Sequence, residues 1–466
     1  MRPWWGCTNH PLYRELIEKR ALTGIRAGAN LLHLDDHMGT AAAAIHSGGC
    51  FCEYCMKGFE NWLVQNYSPV ELQKMKIDPN SFDYPQLIKN SGFTTLEKYN
   101  EGIENNAVPL HAEFIAFQLE EAAALVKQLG KKASQIAGKK VPVGVNSWNL
   151  IPQQLPTAHN ADYFSNEVEH YGKEDLVPPF VYRLGDGLGK PVFSTGTGED
   201  WIVAGEENVP VRINRWIATA YAHGHYFMYS WNKWGFSEET GTQWYQIPME
   251  YFEPYCTFIN KNPELFDGFD PITTVGILYE NEVVRKGSAA AQTICRELNY
   301  ANIPNGLAVS GDEWLLDSLT KKELDQFEYL VLPPETNLSE NEKIVLNEFS
   351  KQHDVVEWTT AGEALKKLPQ TLKINGAEKV WALPRKKANE VVIHLLNQNY
   401  NQEQDKMKRK TSFELFIDKQ FAASGKVSFE FYQPGKPPQK LKSVKTENGI
   451  VVEIPALEVW GIVKAM

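Results

Sequence analysis

No run of about 18 consecutive apolar residues occurs in this sequence, so nothing in it reads as a membrane-spanning helix. The opening stretch, MRPWWGCTNHPLYRELIEKR, lacks the apolar segment of a secretory leader. Blocks of positive charge are missing too. Beyond short runs such as Lys406 to Lys410, Lys and Arg are dispersed through a chain of net charge -11. An acidic chain without a basic stripe argues against nucleic acid or an anionic membrane as its main partner. Internal repeats and low-complexity tracts are also absent. Cysteine is scarce, six in 466 residues, yet Cys50, Cys52 and Cys55 lie almost side by side. Neighbours that close pair poorly as disulfides, because bridge geometry is demanding. Clustered cysteines in a large chain more often bind metal.

What is present is apolar and aromatic. A hydrophobic content of 43% supports two to four domains with real cores. Aromatics reach 12%, with 13 Trp and 19 Tyr, which suits a large core or a surface that stacks on sugar rings.

Residues 1–268 alternate short β-rich runs with helical patterns. The runs are 28–36, 139–148, 161–168, 189–201 and 224–234, each followed by polar and aromatic residues. Helical periodicity fills 111–136 and 211–222. Buried parallel strands with function at their C-terminal ends are the plan of a TIM-type (β/α) barrel. Five strands are legible where a closed barrel has eight. The expectation is therefore a barrel whose first three βα units are missing before Gly28, in a chain truncated at its N-terminus. On that basis the protein is cytoplasmic if Met1 is the true start, and periplasmic or secreted if an upstream leader was lost. Residues 269–370 read as a flavodoxin-like α/β domain, with strands at 273–280 and 327–334. Its helices lie at 286–303 and 339–352, the latter opening on the capping-box pair Ser339 and Glu342. From 371 to 466 the pattern is strictly β, as in a small antiparallel sandwich.

Cys50, Cys52 and Cys55 form C-x-C-x-x-C, and Cys7 lies upstream. Four thiolates complete a closed tetrahedral zinc shell, which has no open position and is therefore structural. The competing reading is reduced cysteines that merely pack.

The order of strand, acidic strand end, loop, cysteine trio and then Phe59, Trp62 and Leu63 resembles family 42 glycoside hydrolases, the β-galactosidase-like enzymes. The resemblance implies a four-cysteine zinc site just after the fourth barrel strand, a flavodoxin-like domain involved in trimerisation, and a final β-sandwich. It makes the chain a glycosidase, β-galactosidase-like and retaining, acting as a homo-oligomer on carbohydrate, with no organic cofactor.

Glycosidases mostly work with two carboxyl groups flanking the scissile bond. The family's fourth strand ends in Asn-Glu, but LDDHMG here puts Asp36 at the Asn and His37 at the Glu. The acid/base therefore does not carry over. Related barrels resembling fucosidases or α-galactosidases use an Asp nucleophile at that strand end, which makes Asp36 the first candidate and Asp35 its neighbour. Adjacent strand residues point to opposite faces, so one of the two is expected at the barrel mouth. His37 is a candidate general acid or substrate ligand, while His33 is expected in the core. The fourth legible run offers Glu199 and Asp200 for the second carboxyl, with Glu199 the first choice, and Glu167, in an Asn-Glu pair, is the other candidate. The alternative for Asp35 and Asp36 is binding a substrate hydroxyl or anchoring a loop, and for Glu167 and Glu199 it is solvated loop charge or loop-fixing hydrogen bonds. Trp148, Trp201, Trp231, Trp234 and Trp244 fall at or after strand ends and suit sugar stacking. Asn146, His223, His225 and Asn232 suit hydroxyl groups. GDGLGK, at 185–190, resembles a phosphate loop, but Pro191 follows where Ser or Thr should bind magnesium. It is expected to end a helix and begin a strand. The rival to the glycosidase reading is a non-catalytic sugar-binding or degenerate homologue, supported by the lost Asn-Glu pair. A third reading is a zinc enzyme of other chemistry.

Overall fold

The structure is a computed structural model that describes residues 6–79, 81–229, 247–421 and 428–465. The chain divides into two compact units, Met1–Asn146 with Ile151–Tyr163 and Glu313–Leu316, and Ser147–Leu150 with Phe164–Asp312 and Asp317–Met466.

The first unit is mostly helical. Helix α1 (Pro11–Arg26) leads to strand β1 (Leu32–Leu34). Then come α2 (Thr40–Ser47), α3 (Glu53–Asn66), α4 (Pro69–Lys74), α5 (Tyr84–Asn90), α6 (Leu96–Glu104) and the long α7 (His111–Ala137). Strand β2 (Val143–Trp148) pairs in parallel with β1, His33 opposite Gly144. The core is aromatic. Phe59 of α3 is fully buried, with Tyr84, Phe114 and Phe117 around it at ring separations of 5.0 to 5.9 Å. Rings in tilted and edge-on contact add to the stabilisation from area burial. Strand β1 is shorter than the periodicity of 28–36 predicts. It stops because Asp36 takes a positive φ of 47°, which ends the ladder in a turn. His33 is exposed on β1, not in the core.

In the second unit β3 (Tyr163–Val168), β4 (Val192–Gly196) and β5 (Tyr226–Phe227) pair in parallel. Between them lie α8 (Val177–Gly187), α9 (Gly198–Glu207) and α10 (Pro210–Ala222). The false phosphate loop ends α8 and leads into β4, as its sequence predicts. The expected strand at 189–201 stops at Gly196, because Thr197 and Asp200 form a capping box that starts α9.

After α11 (Glu253–Lys261) and β6 (Asp270–Pro271), an all-parallel sheet is built from β7 (Val275–Glu280), β8 (Asn305–Ser310), β9 (Tyr329–Leu332) and β10 (Asp354–Glu357). Its spatial order is β10-β9-β7-β8, the doubly wound kind. The helix expected over 286–303 is α13 (Ala290–Tyr300), and the short α12 (Asn281–Arg285) precedes it. Helix α15 (Glu340–Phe349), which follows α14 (Lys321–Leu324), has the Ser339–Glu342 capping box read from sequence. The C-terminal strands form two antiparallel sheets and a short hairpin of β14 (Tyr400–Asn401) with β15 (Lys406–Met407). One contains β11 (Leu372–Asn375), β16 (Lys410–Asp418), β20 (Gly449–Leu457) and β19 (Ser443–Thr446). The other runs β18 (Gln439–Leu441), β17 (Phe429–Tyr432), β21 (Trp460–Ala465), β13 (Glu390–Asn397), β12 (Val380–Lys387) and β6. A shared core joins them, with Phe413, Leu415 and Val452 from one sheet and Leu395, Phe431 and Val463 from the other. No described helix is long and apolar enough to cross a membrane.

Candidate active site and four-cysteine centre

The turn after β1 carries the acidic pair. Asp35 is exposed, and its carboxylate accepts hydrogen bonds from Asn146 Nδ2 at 2.9 Å and from the Asp36 N–H at 3.0 Å. Strand pairing explains the contact, since β1 and β2 run in register and Asn146 lies just beyond Val145, the partner of Leu34. Asp36 is also accessible, and partial desolvation, then the neighbouring Asp35 carboxylate, pushes its carboxyl above the usual range. His37 turns inward and is only 7% exposed. Its Nδ1 lies 2.7 Å from Thr157 Oγ1, and burial holds its pKa down to about 4. A buried imidazole that is neutral at pH 7 supports the turn and offers no proton to a ligand in solvent.

The cysteines brace this same turn. The four Sγ atoms of Cys7, Cys50, Cys52 and Cys55 lie within 4.8 Å of one another, with Cys7 3.4 Å from Cys55 and 3.7 Å from Cys52. Metal–sulfur bonds of about 2.3 Å in a tetrahedron put sulfurs roughly 3.8 Å apart, so the cluster fits a metal ion. All four are free thiols, Cys52 caps α3 and Cys55 lies in its first turn. Asn9 Nδ2 and Thr40 Oγ1 point donors at Cys55 and Cys7, which orients sulfur ligands. Beside Cys7, Thr8 exchanges bonds with Thr40: its N–H donates to Thr40 Oγ1 at 2.8 Å, and its Oγ1 accepts from the Thr40 N–H at 3.1 Å. Gly39 sits against Thr8 with φ of 49°, and a Cβ there would lie 2.4 Å from the Thr8 methyl. The cysteine centre thus reaches the carboxylate turn through two residues, Thr8 and Thr40.

The second unit holds the other predicted acids. Glu167 is half-buried near the end of β3, and its carbonyl accepts the Asn149 N–H at 3.0 Å. Its neighbour Asn166 is fully buried and accepts from Ser147 Oγ at 3.2 Å. Glu199 is exposed in the first turn of α9, not on an irregular loop. The next residue, passed over in favour of Glu199, has an anchoring role that sequence reasoning missed. Asp200 is 1% exposed and accepts the N–H groups of His170 at 3.0 Å, Tyr171 at 2.7 Å and Thr197 at 3.0 Å, along with Thr197 Oγ1 at 3.1 Å. Burial alone would raise its pKa, but these bonds and His170, 3.6 Å away, hold it below the usual range. Asp200 staples the segment after β3 to the segment after β4; Glu167 lies just before the first and Glu199 in the second. The signal was the pattern T-x-x-D at Thr197.

Among the predicted aromatics, Trp148 ends β2 and is 44% exposed. Trp201 is 2% exposed and donates its indole N–H to Thr195, so it packs as core instead of presenting a face to solvent. His223 and His225 are also interior, bonded to the Thr219 and Tyr182 carbonyls. Trp231, Asn232, Trp234 and Trp244 lie outside the described residues.

No family model matches the chain. The α-agarase of Alteromonas agarilytica is 24% identical over 445 residues, which is 90% of this chain and 30% of the agarase. The chain therefore spans about a third of the length of that curated relative. Among solved structures, the α-L-fucosidase isoenzyme 2 of Paenibacillus thiaminolyticus superimposes with a TM-score of 0.63 at 12% identity, covering 98% of this chain and 80% of the fucosidase. A β-galactosidase from Bacillus circulans sp. alkalophilus gives 0.63 at 11%, covering 99% and 83%. A GH42 β-galactosidase from G. stearothermophilus gives 0.59 at 12%, covering 98% and 82%. The chain has a glycoside hydrolase fold. The likeness to family 42 read from the cysteine segment holds at the level of fold. Both the curated relative and these structural neighbours are glycoside hydrolases.

Proposed function

We propose that the chain hydrolyses glycosidic bonds of oligo- or polysaccharides through carboxyl groups at strand C-terminal ends. The observation that carries this reading is the β1 turn, where two accessible carboxylates sit side by side in different surroundings. Asp35 accepts two hydrogen bonds, while partial desolvation raises the pKa of Asp36, which fits a proton donor. Glu167 and Glu199 are the candidate partners, and Asn146 and Trp148 the candidate substrate contacts. Five parallel strands ending in such residues support assigning 1–268 to a (β/α) barrel, 269–370 to a flavodoxin-like domain of the trimerising kind and 371–466 to a β-sandwich. Cys7, Cys50, Cys52 and Cys55 are proposed to hold a structural zinc ion. Zinc in that closed shell supplies no chemistry to the reaction and fixes the loop.

The family 42 likeness favours β-galactosides and retention of configuration. The agarase likeness favours α-linked bonds in a galactan. A panel of α- and β-galactosides with agarose distinguishes them, and the anomer first released, followed by proton NMR, reports retention or inversion. The parent should release sugar, and Asp36→Asn should lower kcat/KM by roughly 100-fold or more. Bound sugar with no release by the parent on any member of the panel would make the chain a binding protein.

A further inference from the structure

Glu199 lies just past the C-terminal end of β4, and a cavity opens at the other end of that strand. It measures about 940 Å³, inside the roughly 300–1,000 Å³ range of small-molecule sites. Pro191, just before β4, and His225, just before β5, line it. Four residue steps of β4, about 13 Å, separate it from Gly196 at the functional end of that strand.

One wall is aromatic. Tyr226, 44% exposed, meets Tyr221 edge-on at 6.2 Å, and Tyr221 meets Phe266 edge-on at 5.9 Å. Phe266 in turn contacts His394 at 5.9 Å. The rim carries the exposed polar side chains of Asn260 and Asp267. His394 is fully buried and lines the cavity. An indole N–H can only donate, so the 3.3 Å contact from Trp460 Nε1 makes His394 Nδ1 an acceptor. Burial in this apolar surround keeps the ring neutral, which leaves its proton on Nε2. That Nε2–H has no partner among the described residues. A buried donor left unpaired costs about 1–3 kcal/mol, so an acceptor from outside the chain is favoured there.

The lining disfavours an anion. Asp186, Asp267 and Asp270 outnumber Lys190 and Arg385, and both terminal nitrogens of Arg385 are committed to the carbonyls of His223 and Phe269. Ring faces beside carboxylate, amide and one unspent donor match a neutral polyol, whose C–H faces stack and whose hydroxyls both donate and accept.

We propose that this cavity is a second saccharide-binding site, at the opposite end of β4 from Glu199, that takes a neutral oligosaccharide and anchors a polymer to the chain. The choice of saccharide rests on the carbohydrate-active reading above. The test is titration calorimetry on the full chain carrying Asp36→Asn, using neutral agarose oligosaccharides with a sulfated galactan oligosaccharide as the charged control. Tyr226→Ala and the rim pair Asn260→Ala/Asp267→Ala are each added, with circular dichroism confirming their fold. Binding should weaken at least tenfold in both, and hydrolysis of a small soluble glycoside by the same cavity changes in the Asp36 parent should be unaltered. Isotherms identical to that of Asp36→Asn alone, no binding of a neutral oligosaccharide, or preference for the sulfated one would each overturn the site. Should the parent release no sugar while the cavity variants still lose binding, the hydrolase reading falls and the cavity stands.

Discussion

Two turns follow parallel strands in this molecule, and they are braced by opposite chemistry. The turn after β1 rests on four sulfurs and a pair of threonines. The turn after β4 rests on one buried carboxylate that gathers four donors. Four thiolates this close repel one another unless a cation offsets their charge, so the first brace, on the zinc proposed above, is conditional on metal. A carboxylate capping backbone N–H groups needs only to stay ionised, so the second is conditional on pH. Both braces hold a candidate acid one or a few residues away, yet they should fail under different conditions.

Removing a sulfur should have the largest effect. Cys55→Ser takes away the most buried of the four ligands. The parent should carry about one equivalent of zinc by metal analysis, and the variant well below it. Thermal unfolding should drop by many degrees, and sugar release should be lost with it, because a structural metal contributes folding free energy outright. A chelator should reproduce the drop in the parent and leave Cys55→Ser unmoved. If both proteins keep the same melting temperature with and without chelator, the cysteines only pack, and the contrast between the two turns disappears.

Next comes Asp200→Ala, which orphans three backbone N–H groups in a site closed to water. A cost of about 3 kcal/mol at pH 7 is expected from denaturant unfolding. The sign of its pH dependence follows from the lowered folded-state pKa. The contribution of Asp200 is fully present above the unfolded carboxylate value of about 3.9 and is lost as pH falls through the lower folded value. The gap between parent and variant should therefore be constant near neutrality and narrow below roughly pH 4. A gap that persists unchanged at pH 2 would mean that lost packing, not the carboxylate, sets the cost.

The difference between these turns also marks what the sequence could reveal. Cys50, Cys52 and Cys55 announce themselves, because thiols that converge on one point cluster along the chain and their spacing is a geometric requirement. Strand and helix order was legible for a similar reason: burial writes its period into 111–136 and 411–418. Asp200 was harder to see. Its partners His170 and Tyr171 are some 30 residues away and contribute only backbone N–H groups, which carry no residue identity. His37 and Trp201 misled for the converse reason. Both sit near strand ends, where sugar ligands are expected, but side-chain direction at a turn depends on φ at its neighbours. The positive φ of Asp36 cannot be read from its letter.

The smallest effect sharpens the comparison most, because it tests the link between cysteine centre and carboxylates. Thr8→Val keeps the shape of the side chain and deletes the hydroxyl that accepts the Thr40 N–H. The four sulfurs are untouched, so metal content should stay at one equivalent. Stability should fall by about 1 kcal/mol, the net worth of a buried hydrogen bond with one partner removed. Thr40 opens α2, and only Gly39 and Met38 separate it from His37, so loosening that helix start should free the turn that presents Asp35 and Asp36. Activity should then drop through kcat more than through KM, since misplacing a reacting group acts on the transition state. A variant that loses stability but keeps full kcat would show that the metal-braced corner stabilises the first unit without positioning its acids.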